Sequence, residues 1–361
     1  MKKTIVITLL LAGLTLAGCQ KGDSIKYGNP VRFTASSELA STRTAYSGAV
    51  NGGIERIDWK EGELLRIWSD NAVVRDSDAK YSDYQIVSPQ GSGTATTSTA
   101  TLSNQPGKNG LVYTDATTYK FWGVSPVIDG TPTAGQASYT IPAAQHMPSS
   151  ASATTADKVT TFPADMANAY LLAAYEDAKE NEKITMYFYP GFTAFELTLT
   201  ADKEFDDEMT IEKVELISEG GIAGSVVATL IPGTKTNTVD GVNHTIGAHT
   251  YACTSAGSAT YTLPTGTKVD KSSSVTFTVF ALPQNIVGLK LKIYVEVDGE
   301  ATSFTGTLKK NGNPITFGMC EKHRIKGVAI PGNLWKIYYQ PGIVTADEWI
   351  EADSETTLIV E

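Results

Sequence analysis

The stretch FELTLT, residues 195–200, alternates without a break. Phe195, Leu197 and Leu199 fall to one side, and Glu196, Thr198 and Thr200 to the other. A period of two is the mark of a strand with one buried face. The pattern returns in SVTFTVFAL (274–282), through Val275, Phe277 and Val279. It returns again in LKLKIYVEVDGE (289–300), where Leu289, Leu291, Ile293, Val295 and Val297 precede an Asp298-Gly299 turn. Upstream, VRFTAS (31–36) reads as a short strand after Pro30, and TYKFWGVSP (118–126) as another. ERIDWKEGELLRIWSD (55–70) reads as strand, turn at Glu61-Gly62, strand, with Trp59 and Trp68 as apolar anchors. VELISEGGIAGSVVATL (214–230) reads as a hairpin turning near Gly220-Gly221. Many short strands between Gly-, Pro-, Ser- and Thr-rich loops predict an all-β protein built of antiparallel sandwiches.

The chain has 361 residues, more than one hydrophobic core usually serves, so two domains are expected. NAYLLAAYEDAKENEK (168–183) has the composition of a helix, yet its apolar part, Tyr170 to Tyr175, is short enough for a buried strand. The charged run that follows ends a segment, which places the boundary near Asn181. Residues 88–110 and 146–160 are rich in Ser, Thr and Gly and read as surface loops.

The N-terminus carries Met-Lys-Lys, an apolar run from Ile5 to Leu16, and then Ala17-Gly18-Cys19. A basic start, a short apolar stretch and small residues before a cut make a secretory signal. The run is too short to span a bilayer, which takes about 20 residues. An ordinary signal peptide with an incidental cysteine has the same outline. The small-small-Cys ending resembles a bacterial lipoprotein signal. That resemblance implies cleavage before Cys19 and acyl chains, palmitate among them, on Cys19. Each buried CH₂ then contributes about 0.8 kcal/mol of membrane affinity. Gln20, in place of an aspartate, resembles the sorting pattern of lipoproteins sent to the outer membrane.

Lys and Arg number 29 against 39 Asp and Glu, a net charge of −10. Losing residues 1–18 removes Lys2 and Lys3 and takes it to −12. An acidic chain has no electrostatic footprint for nucleic acid. With Cys19 acylated, Cys253 and Cys320 remain, either paired in an oxidising compartment or free and buried.

Sequence motifs for enzymatic chemistry are missing. The chain contains no P-loop, dinucleotide fingerprint, G-x-S-x-G or H-E-x-x-H. His244, His249 and Cys253 fall close together, but at no recognised zinc spacing. Asp76, Asp78 and Asp83 lack the glycine and terminal glutamate of a calcium loop. Trp59, Trp68, Trp122, Trp335 and Trp349 are candidates for a sugar platform, although four of them sit in strand-like stretches that favour a core. No enzyme activity and no cofactor or metal are expected.

The lipobox, the first strand VRFTA, the segment TRTAYSG and then IDWKEGELLRIWSD together resemble the start of bacterial fimbrillins, the lipoprotein precursors of type V pili. ITMYFYPGFTAFELTLT, HRIKGVAIPG and the tail ADEWIEADSETTLIVE stand in the order that family shows. The resemblance covers most of residues 19–361. It implies two tandem transthyretin-like β-sandwich domains. The expected layout is a signal peptide (1–18), a lipidated segment with the first strand (19–43), an N-terminal sandwich (44–181), a C-terminal sandwich (182–332) and a C-terminal appendage (333–361).

The resemblance further implies that an arginine- or lysine-specific surface protease removes the N-terminal strand. The C-terminal strand of another subunit then fills the groove left behind. On this chain the expected cut follows Arg43 and releases Cys19–Arg43. Arg32 lies inside the first strand and Arg56 begins the next, so both are less suited. Leu358, Ile359 and Val360 are the donor-strand candidates. The implied partners are other fimbrillin subunits, the outer membrane through the lipid anchor, and a host or glycan receptor. The implied location is the cell surface, first as an outer-membrane lipoprotein and then in the fimbria. Family tips and anchors depart from this pattern, and anchors stay lipidated. A glycan-binding surface lipoprotein of a polysaccharide uptake system is the other reading. It predicts tryptophans grouped on an open surface.

Overall fold

The computed structural model describes residues 27–38, 46–50, 54–90, 97–201, 209–233, 235–239, 242–246, 248–297, 299–310, 313–329, 335–342 and 355–358. Nearly all regular structure among them is strand. No helix among them is long and apolar enough to cross a membrane. The first half of the chain supplies β1 (Arg32–Glu38), β2 (Leu64–Ser69), β3 (Tyr81–Gln90), β4 (Thr97–Asn104), β5 (Tyr119–Ser125), β6 (Gln136–Ile141), β7 (Leu171–Ala178) and β8 (Lys183–Pro190). The second half supplies β9 (Thr193–Ala201), β10 (Ala223–Thr229), β11 (Thr250–Gly257), β12 (Ser274–Ala281), β13 (Lys322–Ala329), β14 (Trp335–Gly342) and β15 (Glu355–Leu358).

Seven strands close into a barrel in the order β1-β8-β7-β5-β2-β3-β4. Closure leaves no free edge, and alternate side chains fill the interior. Trp68, Tyr84, Tyr119 and Phe121 are each at most 2% exposed there. The expected boundary near Asn181 therefore falls too early. It lies between β7 and β8, which pair with each other, and the barrel runs on through Pro190. The ambiguous 168–183 segment is the strand β7, entered from a 3-10 turn at Met166–Asn168.

The second core lies between two sheets. One runs through β12, β9, β13, β14 and β15. The other includes Met209–Ile217, Lys290–Val297 and Glu300–Thr307. The alternation in FELTLT is realised as expected. Phe195, Leu197 and Leu199 are at most 1% exposed and meet Val275, Phe277 and Val279 of β12 in one cluster. Outward-facing Glu196 is held by Lys322 at 2.5 Å and Arg324 at 2.9 Å, both on the neighbouring β13. A reversal that includes Gly299, at φ 81°, joins Lys290–Val297 to Glu300–Thr307 in register. That left-handed conformation is one glycine adopts without strain.

Two expected hairpins resolve differently. Residues 214–230 do reverse at Gly220-Gly221, but the two arms separate. Met209–Ile217 stays in the second sandwich, whereas β10 joins a three-stranded sheet, β6-β10-β11. That sheet carries Val226 and Ala228 into the first core, so the second half of the chain reaches back and packs on the barrel. In 55–70, Ile54–Ile57 pairs with Tyr46–Val50 rather than with β2.

Candidate functional site: the slot of the first strand

β1 is short and lies near the described N-terminal end, yet it sits between two partners. It pairs in parallel with β8, from Arg32↔Lys183 to Ser37↔Phe188. It pairs antiparallel with β4, from Thr34↔Thr101 to Glu38↔Thr97. The entering chain is tied down too. Gly28 N–H donates to the Tyr113 carbonyl at 2.8 Å, and Val31 N–H to that of Leu111 at 3.0 Å.

The inward side chains are Val31, Phe33, Ala35 and Ser37, all at most 6% exposed. Phe33 meets Tyr84 and Phe121 edge to face, with ring centroids 5.2 and 5.1 Å away. One wall of the slot is Ile184, Met186 and Phe188 of β8. The other is Ala100 and Leu102 of β4. The far end is closed by Trp59, edge to face with Phe188 at 5.3 Å, and by Ser98, whose hydroxyl accepts from the Trp59 backbone N–H. The strand Ile54–Ile57 lies close to β1 and β4. Without β1, this region would be an apolar trough flanked by two rows of unpaired backbone groups. Both features are costly in water.

β4 is the wall that sequence reasoning missed, because it falls within residues expected to be a surface loop. Its inward positions, Ser98, Ala100 and Leu102, are mostly small, so the period-2 signal is faint in hydrophobicity and visible only in size. The parallel pairing of β1 with β8 has no local signal at all.

Cys19, Arg43, Ile359 and Val360 lie outside the described residues. Leu358 is described: it ends β15 and pairs with Trp335 of β14. β15 is the outermost strand of its sheet.

Trp349 and the side chains of Trp335 and His244 also lie outside what is described. Trp59, Trp68 and Trp122 are at most 5% exposed, so these three fill the core and form no surface platform. Asp83 is the partner of Arg66, at 2.7 Å. Among the described residues no group of three His, Cys, Asp or Glu is placed to hold a metal. His249 is a core residue: Nδ1 accepts from the Ile231 N–H at 3.2 Å, and Nε2 faces the Leu172 carbonyl at 3.4 Å. That pairing fits the neutral ring, with Nε2–H donating. Cys253 and Cys320 are both thiols.

Burial lowers His249 to about 4 against the opposing effect of the Leu172 carbonyl, and likewise lowers His323 to about 4 against that of Gly318. The unfolded chain takes up these protons near pH 6.5 and the folded chain does not. Stability is therefore full above pH 6.5 and drains away as pH falls towards 4. At about 1.4 kcal/mol per pH unit, each histidine accounts for up to about 3 kcal/mol. Urea midpoints measured between pH 7.5 and 4.5 are expected to fall steeply below 6.5. In His249→Asn, which retains an acceptor but does not titrate, the slope is expected to be shallower.

No family model matches the sequence, and no curated protein matches it. Solved structures do match in fold. A protein assigned to cell adhesion from Bacteroides uniformis aligns with a TM-score of 0.50 at 12% identity, over 88% of this chain and 98% of its own. A second such protein, from Bacteroides ovatus, aligns with a TM-score of 0.46 at 14% identity, over 91% and 100%. A fimbrial assembly protein from Parabacteroides distasonis aligns with a TM-score of 0.36 at 12% identity, over 86% and 96%. The structural neighbours are thus adhesion and fimbrial proteins of Bacteroidales, and this chain shares the fold of the Bacteroides uniformis protein along most of its length.

Proposed function

We propose that this chain is a structural, non-enzymatic subunit of a cell-surface fimbria. In this reading it is a fimbrillin with two tandem transthyretin-like domains, exported as an outer-membrane lipoprotein acylated at Cys19. An arginine-specific surface protease cuts after Arg43. The released fragment carries both the lipid and β1, so detachment and opening of the slot are one event. The slot then takes the C-terminal strand of a neighbouring subunit, with Leu358, Ile359 and Val360 as its apolar residues.

The observation that carries the proposal is the placement of β1. A strand of seven residues, followed within a few positions by Arg43, supplies one stave of a closed barrel and its central Phe33. A replacement strand satisfies both backbone rows and refills the trough. At about 25 cal/mol per Å² of apolar surface, such a joint is strong. The contact is head-to-tail and does not close, so it propagates as a filament. The fold shared with a protein assigned to cell adhesion agrees with this reading. Burial of Trp59, Trp68 and Trp122 argues against the glycan-platform alternative.

The slot's specificity is testable with a peptide. A synthetic peptide of residues 27–38, added in excess to freshly cut protein, is expected to reoccupy the slot and stop polymer growth. The same peptide with Phe33→Asp is expected to have no effect. Equal inhibition by both, or by neither, would count against the slot as the joint.

A further inference from the structure

Two connections meet at one end of the barrel. Residues 70–80 lead from β2 into β3, and residues 105–118 lead from β4 to β5. Between them lies an open cavity of about 590 Å³, within the range of small-ligand sites. Its floor is fixed by the strands. Arg66 donates from Nε and Nη2 to the two carboxylate oxygens of Asp83, at 2.7 and 3.1 Å, and from Nη1 to the Ile128 carbonyl at 2.9 Å. Its guanidinium lies 4.7 Å from the centre of the Tyr81 ring. The walls are fixed too. Val74 N–H donates to the Ala79 carbonyl at 2.8 Å, and Lys108 N–H to that of Gln105 at 2.9 Å, which closes a turn on each side. Ser82 Oγ donates to the Asn109 carbonyl at 2.9 Å, and Asn109 Nδ2 to the Arg75 carbonyl at 3.4 Å, so one turn is tied to the other. A site held in this way is formed before a ligand arrives.

The floor pair, Arg66 with Asp83, is neutral, but the rim is not. Arg75 and Lys108 bring two positive charges to the cavity, and Asp76 one negative charge. All three residues are exposed, and no ion pair among the described residues joins any of them. The Arg75 side chain has one long hydrogen bond, from Nη2 to the Gly28 carbonyl at 3.4 Å. Three cations against two carboxylates leave one surplus positive charge here, on a chain whose total is −10. That balance selects a ligand. A carboxylate complements a single surplus charge, and a guanidinium can hold it through two parallel bonds. Ionised Asp76 accepts and does not donate, so the same ligand has to offer hydroxyl groups. Gln105 and Asn109 add amide groups beside it. A phosphate dianion brings the charge but is repelled by Asp76. A neutral sugar leaves Arg75 and Lys108 unmatched.

We propose that this cavity binds a saccharide unit carrying a single carboxylate, a uronic or sialic acid. Arg75 and Lys108 hold the carboxylate, and Asp76 accepts from the sugar hydroxyls. The site is present in the uncut barrel and stands whether or not strands are exchanged.

The test uses the uncut chain from residue 20 to 361 and ligand-observed saturation-transfer NMR. Sialyllactose and methyl glucuronide are the probes. Lactose and the methyl ester of the glucuronide are their uncharged counterparts, and inorganic phosphate is tested separately. The expected result is saturable binding of at least one acidic sugar at millimolar concentration. Added salt is expected to weaken it, and the uncharged forms are expected not to bind. Arg75→Ala and Lys108→Ala are each expected to weaken binding about tenfold. Asp76→Asn is expected to weaken the sugar and admit phosphate. Lys120→Ala, at an exposed lysine of β5 paired with Glu176 at 3.4 Å, is expected to change nothing. Absence of saturable binding by both acidic sugars would overturn the proposal. So would equal binding of the uncharged forms, a preference for phosphate, or binding that ignores Arg75→Ala and Lys108→Ala. None of these readouts depends on polymer formation, so strand exchange is judged separately.

Discussion

Phe33→Ala in the uncut chain is expected to lower the free energy of unfolding by ~3–5 kcal/mol. Phe33 is 2% exposed and fills the barrel beneath β1, edge-on to Tyr84 and Phe121. Truncation removes a ring from a core whose other walls cannot close on the gap. They belong to strands fixed by pairing on both sides: β8 by β7, and β4 by β3. The loss should appear as a lower urea midpoint with an unchanged slope. Arg32, the exposed neighbour on the same strand, supplies the control. Arg32→Ala is expected to change stability by no more than about 0.5 kcal/mol. Equal effects at the two positions would mean that the inward face of β1 does not anchor the strand. Because Phe33 binds β1 to its slot, the Phe33 variant should also lose the cut fragment faster than the parent chain does.

Deleting residues 343–361 is expected to abolish assembly while leaving the uncut protein folded. β15 pairs along only four residues, Glu355–Leu358, at the outer edge of a seven-stranded sheet. Its loss should cost the monomer roughly 1 kcal/mol or less. The same deletion removes the proposed donor residues Leu358, Ile359 and Val360, so cut protein should stay monomeric at any concentration. Polymers formed by the truncated chain would assign the donor role elsewhere. Unfolding of the truncated chain would mean that the tail belongs to the body.

Strands whose buried face is large and apolar were legible in the sequence. Phe195, Leu197 and Leu199 point inward as their spacing demands, and so do Val275, Phe277 and Val279. β4 was hidden because its inward face is built from Ser98, Ala100 and Leu102, small residues that suit the crowded interior beside β1 but read as loop. Residues 168–183 left helix and strand both open, and the pairing of β7 with β8 was hidden. The charged turn between them looks like a boundary, whereas the two strands are adjacent staves. Gly220-Gly221 announces a reversal without saying that its arms part into different sheets. Partner choice depends on distant chain, and no local period encodes it. For the site itself, the sequence marked β1 as a strand, and the family resemblance suggested the cut after Arg43. That β1 is a stave with a parallel neighbour on one side and an antiparallel one on the other emerges only in three dimensions.

The most direct measurement is brief digestion of the lipid-free chain, residues 20–361, with an arginine-specific protease. The new N-terminus is read by mass spectrometry and the products are run unheated in SDS. Strand replacement predicts one prompt cut after Arg43, a new N-terminus at Thr44 and SDS-resistant ladders that grow with protein concentration. A clean cut at Arg43 whose product remains monomeric at every concentration would contradict it.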